Sequence, residues 1–103
     1  MTRLPVIVTP NARSQITEIV WYIAEDSLAN ALAWASRLVA TLGALGDFHG
    51  HPIDEDASER AGDQLRKVVF ESTYLDHYHV DVGVAVVVSN VRHGARLPRR
   101  REP

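Results

Sequence analysis

Between Val82 and His93 the chain reads VGVAVVVSNVRH. Val82, Val84, Val86, Val87, Val88 and Val91 are β-branched and lose rotamer freedom in a helix, so the stretch is expected as a strand. The run is near-continuous rather than alternating, the pattern of a strand covered on both faces. It breaks at Arg92-His93-Gly94 and passes into a tail with Arg96, Arg99, Arg100 and Arg101. A buried strand therefore delivers a cluster of donors to a sheet edge. The rest of the chain is expected to be the scaffold that places it.

That scaffold begins with a short apolar run, Leu4–Val8, the expected first strand. Thr9-Pro10 follows it, a good N-cap and a residue favoured at the first helical position. Ala12, Ile16, Ile19, Val20 and Ile23 then recur at helical spacing, and the helix is expected to end near Glu25. Asp26-Ser27 offers a second cap. A longer stripe starts there: Leu28, Ala31, Leu32, Ala35, Leu38, Val39, Leu42 and Leu45, closing around Gly43–Gly46. So short a connection implies an antiparallel helical hairpin. Trp21 and Trp34 flank the stripes, and core packing is the first reading of both. Residues 48–63 are rich in acids, with Gly50, Pro52 and Gly62, and read as a surface loop with one helical turn. Gln64–Glu71, Thr73–Asp81 and Val84–Val91 read as a three-stranded meander, with Gly83 able to take a positive φ in the last turn.

Counting one reversal at every connection sets strand one antiparallel to strands two and four. The fold class is α+β: a helical hairpin on one face of a mainly antiparallel four-stranded sheet, in the order β-α-α-β-β-β. The other face is expected to be partly open. Strand four is apolar on both sides, with Val84, Val86 and Val88 on one and Ala85, Val87 and Val91 on the other. An open apolar face implies a partner; a strand at the centre of the sheet explains the same pattern without one. On strand three, Asp76 and Tyr78 share a face opposite His77 and His79. A buried Asp76 needs a partner, and Arg66 or Arg92 is the obvious candidate.

The length of 103 residues suits one domain, expected over 1–96, with 97–103 a basic, disordered tail. A hydrophobic fraction of 46% can fill a modest core. Without cysteine, disulfide frameworks and thiolate metal sites are excluded, which agrees with a cytoplasmic setting. The N-terminus lacks a signal-peptide pattern, and no apolar run is expected to span a membrane. A net charge of −2 argues against general nucleic-acid binding. His49-x-His51 and His77-x-His79, with Asp54 or Asp56, are the only metal-like groupings. Two such pairs also arise by composition among five histidines, and the expectation is no metal and no cofactor.

The segments and their order resemble the RelE/ParE superfamily of toxins from type II toxin–antitoxin systems, also called plasmid-stabilisation proteins. The resemblance runs from about Val6 to Arg96. It is carried by Val8-Thr9-Pro10-Asn11-Ala12, by Ile19-Val20-Trp21-Tyr22-Ile23-Ala24, and by Leu65-Arg66-Lys67-Val68. Tyr74, Tyr78-His79-Val80-Asp81 and Val86–Gly94 complete it. The Val-Arg-His-Gly-Ala-Arg ending looks more like the ParE branch. That branch implies a toxin that inhibits DNA gyrase without hydrolytic chemistry, with Arg92, His93 and Arg96 on the target. It also implies neutralisation by a cognate antitoxin in a hetero-oligomer. The antitoxin is expected at Trp21, Tyr22 and Trp34 along the hairpin, or at Val87 and Val91 on strand four.

The RelE branch implies instead a ribosome-dependent messenger-RNA endoribonuclease, for which Arg66, Lys67, Arg92 and His93 are the available groups. Leu75 stands where the family pattern commonly has Arg after the aromatic that opens the third strand, and no Tyr lies beyond Tyr78. These departures point away from the nuclease. A non-toxic binding module of the same fold is the third reading, motivated by Leu75 and the acidic surface.

Overall fold

The computed structural model describes residues 3–94. Arg96 and the 97–103 tail therefore lie outside the described residues. In chain order the elements are β1 Val6–Val8, α1 Pro10–Ala24, α2 Leu28–Gly43, α3 Glu55–Ala61, β2 Arg66–Phe70, β3 Tyr74–Asp81 and β4 Ala85–His93, with a 3-10 turn at Ala44–Gly46 after α2.

Local chemistry sets the helix boundaries. The Thr9 hydroxyl accepts from the Ala12 N–H, and Pro10 opens the helix. Ser27 accepts from Asn30 N–H and starts α2. Asp54 accepts from Ala57 N–H and starts α3, which Gly62 ends at φ +72°. That seven-residue helix occupies the segment expected to be mostly loop. The turn from β3 to β4 uses Gly83 at φ +75°. The β2–β3 turn instead puts Glu71 and Ser72 at φ +53° and +60°, and Thr73 N–H closes it on the Phe70 carbonyl at 3.1 Å.

The sheet order is β1-β4-β3-β2. The two later pairings are antiparallel, but β1 runs parallel to β4, with Val6, Ile7 and Val8 opposite Val86, Val87 and Val88. Strand one is thus parallel to strands two and four, not antiparallel to them. The reason lies at Thr9. This single extended residue joins β1 to α1 without a turn, so α1 continues in the strand's direction alongside β4. Asn11 reaches Ser89 and Gln15 reaches Val91. The hairpin then brings α2 back, and Gly46 accepts from Leu4 N–H at 3.0 Å beside the start of β1.

The core lies between the hairpin and one face of the sheet. Trp34, Leu38, Leu42 and Leu45 meet Phe70, Tyr78, Val86, Val88 and Val91 there. Trp34 sets the roll of α2: its ring packs edge-on against Phe70 at 5.8 Å and Tyr74 at 5.0 Å. Leu28, Leu32 and Val39 of the expected stripe consequently face outward. Trp21 is 70% exposed and not a core residue, because the buried side of α1 is the Ala12–Ile16–Ile19–Ile23 line. The stretch Leu28–Gly46 reaches a mean hydropathy of 1.3, so by length and composition it passes as a spanning helix, contrary to the expectation of no such run. In the fold its Ala31–Trp34–Leu38–Leu42 side is the inner layer of the domain.

Strand four is interior, between β1 and β3, which accounts for its apolar character on both sides. Its pairing with β3 shifts register between His77 and Tyr78. Tyr78 faces Val88 while Asp76 faces Val91, so Ser89 is an extra residue and the side-chain alternation flips across it. Val91 therefore joins Val86 and Val88 in the core rather than Val87 on the far face.

That far face is also less open than expected, because α3 lies on it. Asp54 Oδ2 meets His77 Nε2 at 2.8 Å, His77 is buried, and Ala57 is 5% exposed.

Candidate functional site

β4 has nine residues and β1 only three. Past Val88, no described strand pairs with the outer edge of β4; α1 lies there instead. Thr9 N–H donates to Val88 O at 3.0 Å, the last backbone rung on that side. Asn11 Nδ2 then donates to the Ser89 carbonyl at 3.0 Å and to Asn90 Oδ1 at 3.2 Å. Gln15 Oε1 accepts from Val91 N–H at 2.8 Å.

Beyond these contacts, α1 and the strand end part around a cavity of about 240 Å³. Glu18, Ile19 and Tyr22 line it from the helix, and Tyr74, Val91, Arg92 and His93 line it from the sheet. The His93 ring stands edge-on to Tyr74 at 5.3 Å, and Tyr74 meets Trp34. An aromatic chain thus links the rim of the cavity to the core. Gly94 N–H donates to Thr73 O at 2.7 Å and pins the strand end to the β2–β3 turn. The site combines a cationic guanidinium, an imidazole, a carboxylate and an apolar floor, a set suited to gripping a protein surface.

Asp76 lies behind the same end of β4, opposite Val91. It is fully buried, and neither carboxyl oxygen has a hydrogen-bond partner among the described residues. Burial raises its pKa from 3.8 to about 7. Neither expected partner pairs with it. Arg92 follows Val91 in the strand and so turns to the opposite face, opposite Leu75. Arg66 donates to the His51 carbonyl at 2.6 Å instead.

The four basic groups available to a nuclease do not converge. Arg66 and Lys67 pair with Tyr78 and His77, near the middle of β3, whereas Arg92 and His93 pair with Leu75 and Tyr74 at its start. Lys67 and Arg92 share a face but stand two strands apart, about 10 Å.

The residues expected to meet an antitoxin divide as well. Trp34 and Val91 are buried and offer nothing to a partner. Val87 is half-buried on the far face. Trp21 and Tyr22 are exposed, and Leu28, Leu32 and Val39 extend the apolar surface of the hairpin.

Each histidine of the two close pairs has its own neighbour. The His49 ring bonds Leu45 O, His51 stands between Phe48 and Tyr78, and His77 holds Asp54. His79 lines a different cavity, with Arg66, Asp63 and His49. Among the described residues, no group of three or more His, Cys, Asp or Glu is placed to hold a metal ion. Glu18, Gln15 and Tyr74 are not among the site residues expected from the sequence. The available signal was the i, i+3, i+4, i+7 spacing of Gln15, Glu18, Ile19 and Tyr22, which gives α1 a second, semi-polar face.

Residues 6–98 match the family described as the ParE toxin of the type II toxin–antitoxin system, parDE. The chain belongs to the ParE toxin family. No curated protein matches it. As a ParE-family toxin it is the toxin component of a type II system, and the family implies a cognate antitoxin. The family match runs past the described residues through Arg96, so the whole β4 end with its cavity falls inside it.

Proposed function

We propose that this ParE-family toxin inhibits DNA gyrase by direct contact through the end of β4, without a hydrolytic step, and that a cognate antitoxin blocks it. Arg92 and His93 make the contact together with Arg96, which follows them in the chain. One observation carries the reading. The longest strand ends beside an open cavity with a cation and an imidazole on its rim, and the sequence continues directly into further arginines. The gyrase target comes from the likeness to the ParE branch, and the scattered basic groups of β2 and β4 support a binding rather than a cutting role.

Expression in a bacterial host tests this. The expected result is filamentation with a DNA-damage response, inhibition of purified gyrase, and rescue by the antitoxin. Arg92→Ala with Arg96→Ala is expected to abolish the effect while the variant still folds cooperatively, with a melting temperature within a few degrees of wild type. Full toxicity in that double variant overturns the contact assignment. Rapid translation arrest with discrete cuts in messenger RNA, lost on His93→Ala, overturns the gyrase reading in favour of a nuclease.

A further inference from the structure

The outer edge of β4 changes partner along its length. Val86 N–H donates to the Pro5 carbonyl at 2.9 Å, and Val88 O accepts from Thr9 N–H at 3.0 Å. One step on, Ser89 O accepts from a side-chain amide, Asn11 Nδ2, and Val91 N–H donates to another, Gln15 Oε1. A neighbouring strand would serve these groups from its backbone. Here two residues of α1 do so.

The spacing explains how a helix can replace a strand. Residues four apart lie on one helix face and advance about 6 Å along its axis. Residues two apart on a strand advance about 6.6 Å. Asn11 and Gln15 are four apart and serve Ser89 and Val91, which are two apart, in matching order. The atom assignments follow from chemistry alone: a carbonyl only accepts, so Asn11 presents its NH₂, and an N–H only donates, so Gln15 presents its oxygen.

We propose that Asn11 and Gln15 are positioning residues: a surrogate strand that holds the Arg92–His93 end of β4 in register beyond the bulge at Ser89. The bulge leaves this stretch with an interrupted ladder on the β3 side. The Gln15 bond to Val91 is the anchor immediately before Arg92. Its loss frees the strand end to twist away from α1 and widens the cavity. The functional half of this proposal rests on the contact role of Arg92 and His93. The structural half does not.

The two amides make opposite demands, and that gives the test. Gln15→Glu keeps an acceptor for Val91 N–H, whereas Gln15→Leu, or Gln15→Ala should the first not fold, removes it. Asn11→Asp replaces the required donor with a second acceptor facing a carbonyl. Amide hydrogen exchange is followed residue by residue on the isolated full-length chain by NMR. Exchange at Val91 is expected to quicken on the order of tenfold in Gln15→Leu and Asn11→Asp, with Val86 unchanged, and to stay near wild type in Gln15→Glu. The Arg92 and His93 resonances should shift with the loss, and gyrase inhibition should fall in the same two variants. Unchanged Val91 protection in Gln15→Leu, or equal responses to Gln15→Glu and Gln15→Leu, overturns the surrogate strand. Lost protection with full inhibition overturns the positioning role. An inactive wild type with this exchange pattern intact counts against the gyrase reading alone.

Discussion

Replacing Asp76 with Asn is expected to stabilise the protein, by an amount that grows with pH. Asp76 is fully buried with both oxygens unpartnered among the described residues, and its carboxyl titrates near pH 7 in the fold against 3.8 when unperturbed. The folded state therefore holds a proton that the unfolded chain has already lost, so stability falls as pH rises from about 4 to about 7. At about 1.36 kcal/mol per pH unit, the charged group costs the fold about 4 kcal/mol at pH 8 and less than half of that at pH 5. Asn keeps the shape and polarity but cannot ionise. Its advantage over Asp76 should thus widen by about 2–3 kcal/mol between pH 5 and pH 8 and level off above. Urea unfolding at several pH values reads this directly, with the buried Trp34 as the fluorescent reporter. All histidines are common to both proteins and cancel in the difference. A gap that does not vary with pH, or an Asn variant less stable at pH 8, refutes the reasoning.

Asp54→Ala should cost about 1–3 kcal/mol, because one carboxylate both caps α3 and accepts from buried His77. Burial pushes the Asp54 pKa up, but the His77 hydrogen bond, the Ala57 N–H and the charges of His77 and Lys67 together hold it below 3.8. Its contribution is therefore present above pH 4 and lost as pH falls further, which an acid-unfolding comparison with the variant will show. Ser72→Gly should raise Tm by about 2–6 °C, since φ +60° is strained for serine and natural for glycine; a fall in Tm contradicts that account.

The features that were legible in the sequence are those settled within a few residues. Thr9-Pro10 and Ser27 announce helix starts because a cap bonds a backbone N–H three positions on. Gly83 announces a turn because its backbone demands a positive φ. What sequence could not give depends on counts and directions that one residue alters. Thr9 joins strand to helix without a reversal, and the direction of β1 inverts for the whole scheme. Ser89 inserts into β4, and Val91 moves from the outer face to the core. Arg92 accordingly points away from Asp76, so the ion pair expected there has no geometry in which to form. Trp21 and Trp34 have the same composition signal, and only the roll of each helix against the sheet separates a surface ring from a buried one.

The same geometry bears on how the toxin is silenced. Tyr22 was assigned to the antitoxin and Arg92 and His93 to the target, yet all three line one cavity of about 240 Å³. Tyr22 is exposed on α1, one turn beyond Glu18, on the side of the helix that looks across at the strand end. A partner anchored on Tyr22 and Trp21 therefore lies over the cavity and excludes a target from Arg92. On the proposed reading, neutralisation needs no change of shape in the toxin, because antitoxin and target compete for one mouth. Acidic residues in that partner would also gain from Arg92, which quickens association at low salt more than it deepens affinity. Competition between antitoxin and gyrase for the wild-type protein, weakened for both by Tyr22→Ala, is the signature of the shared mouth.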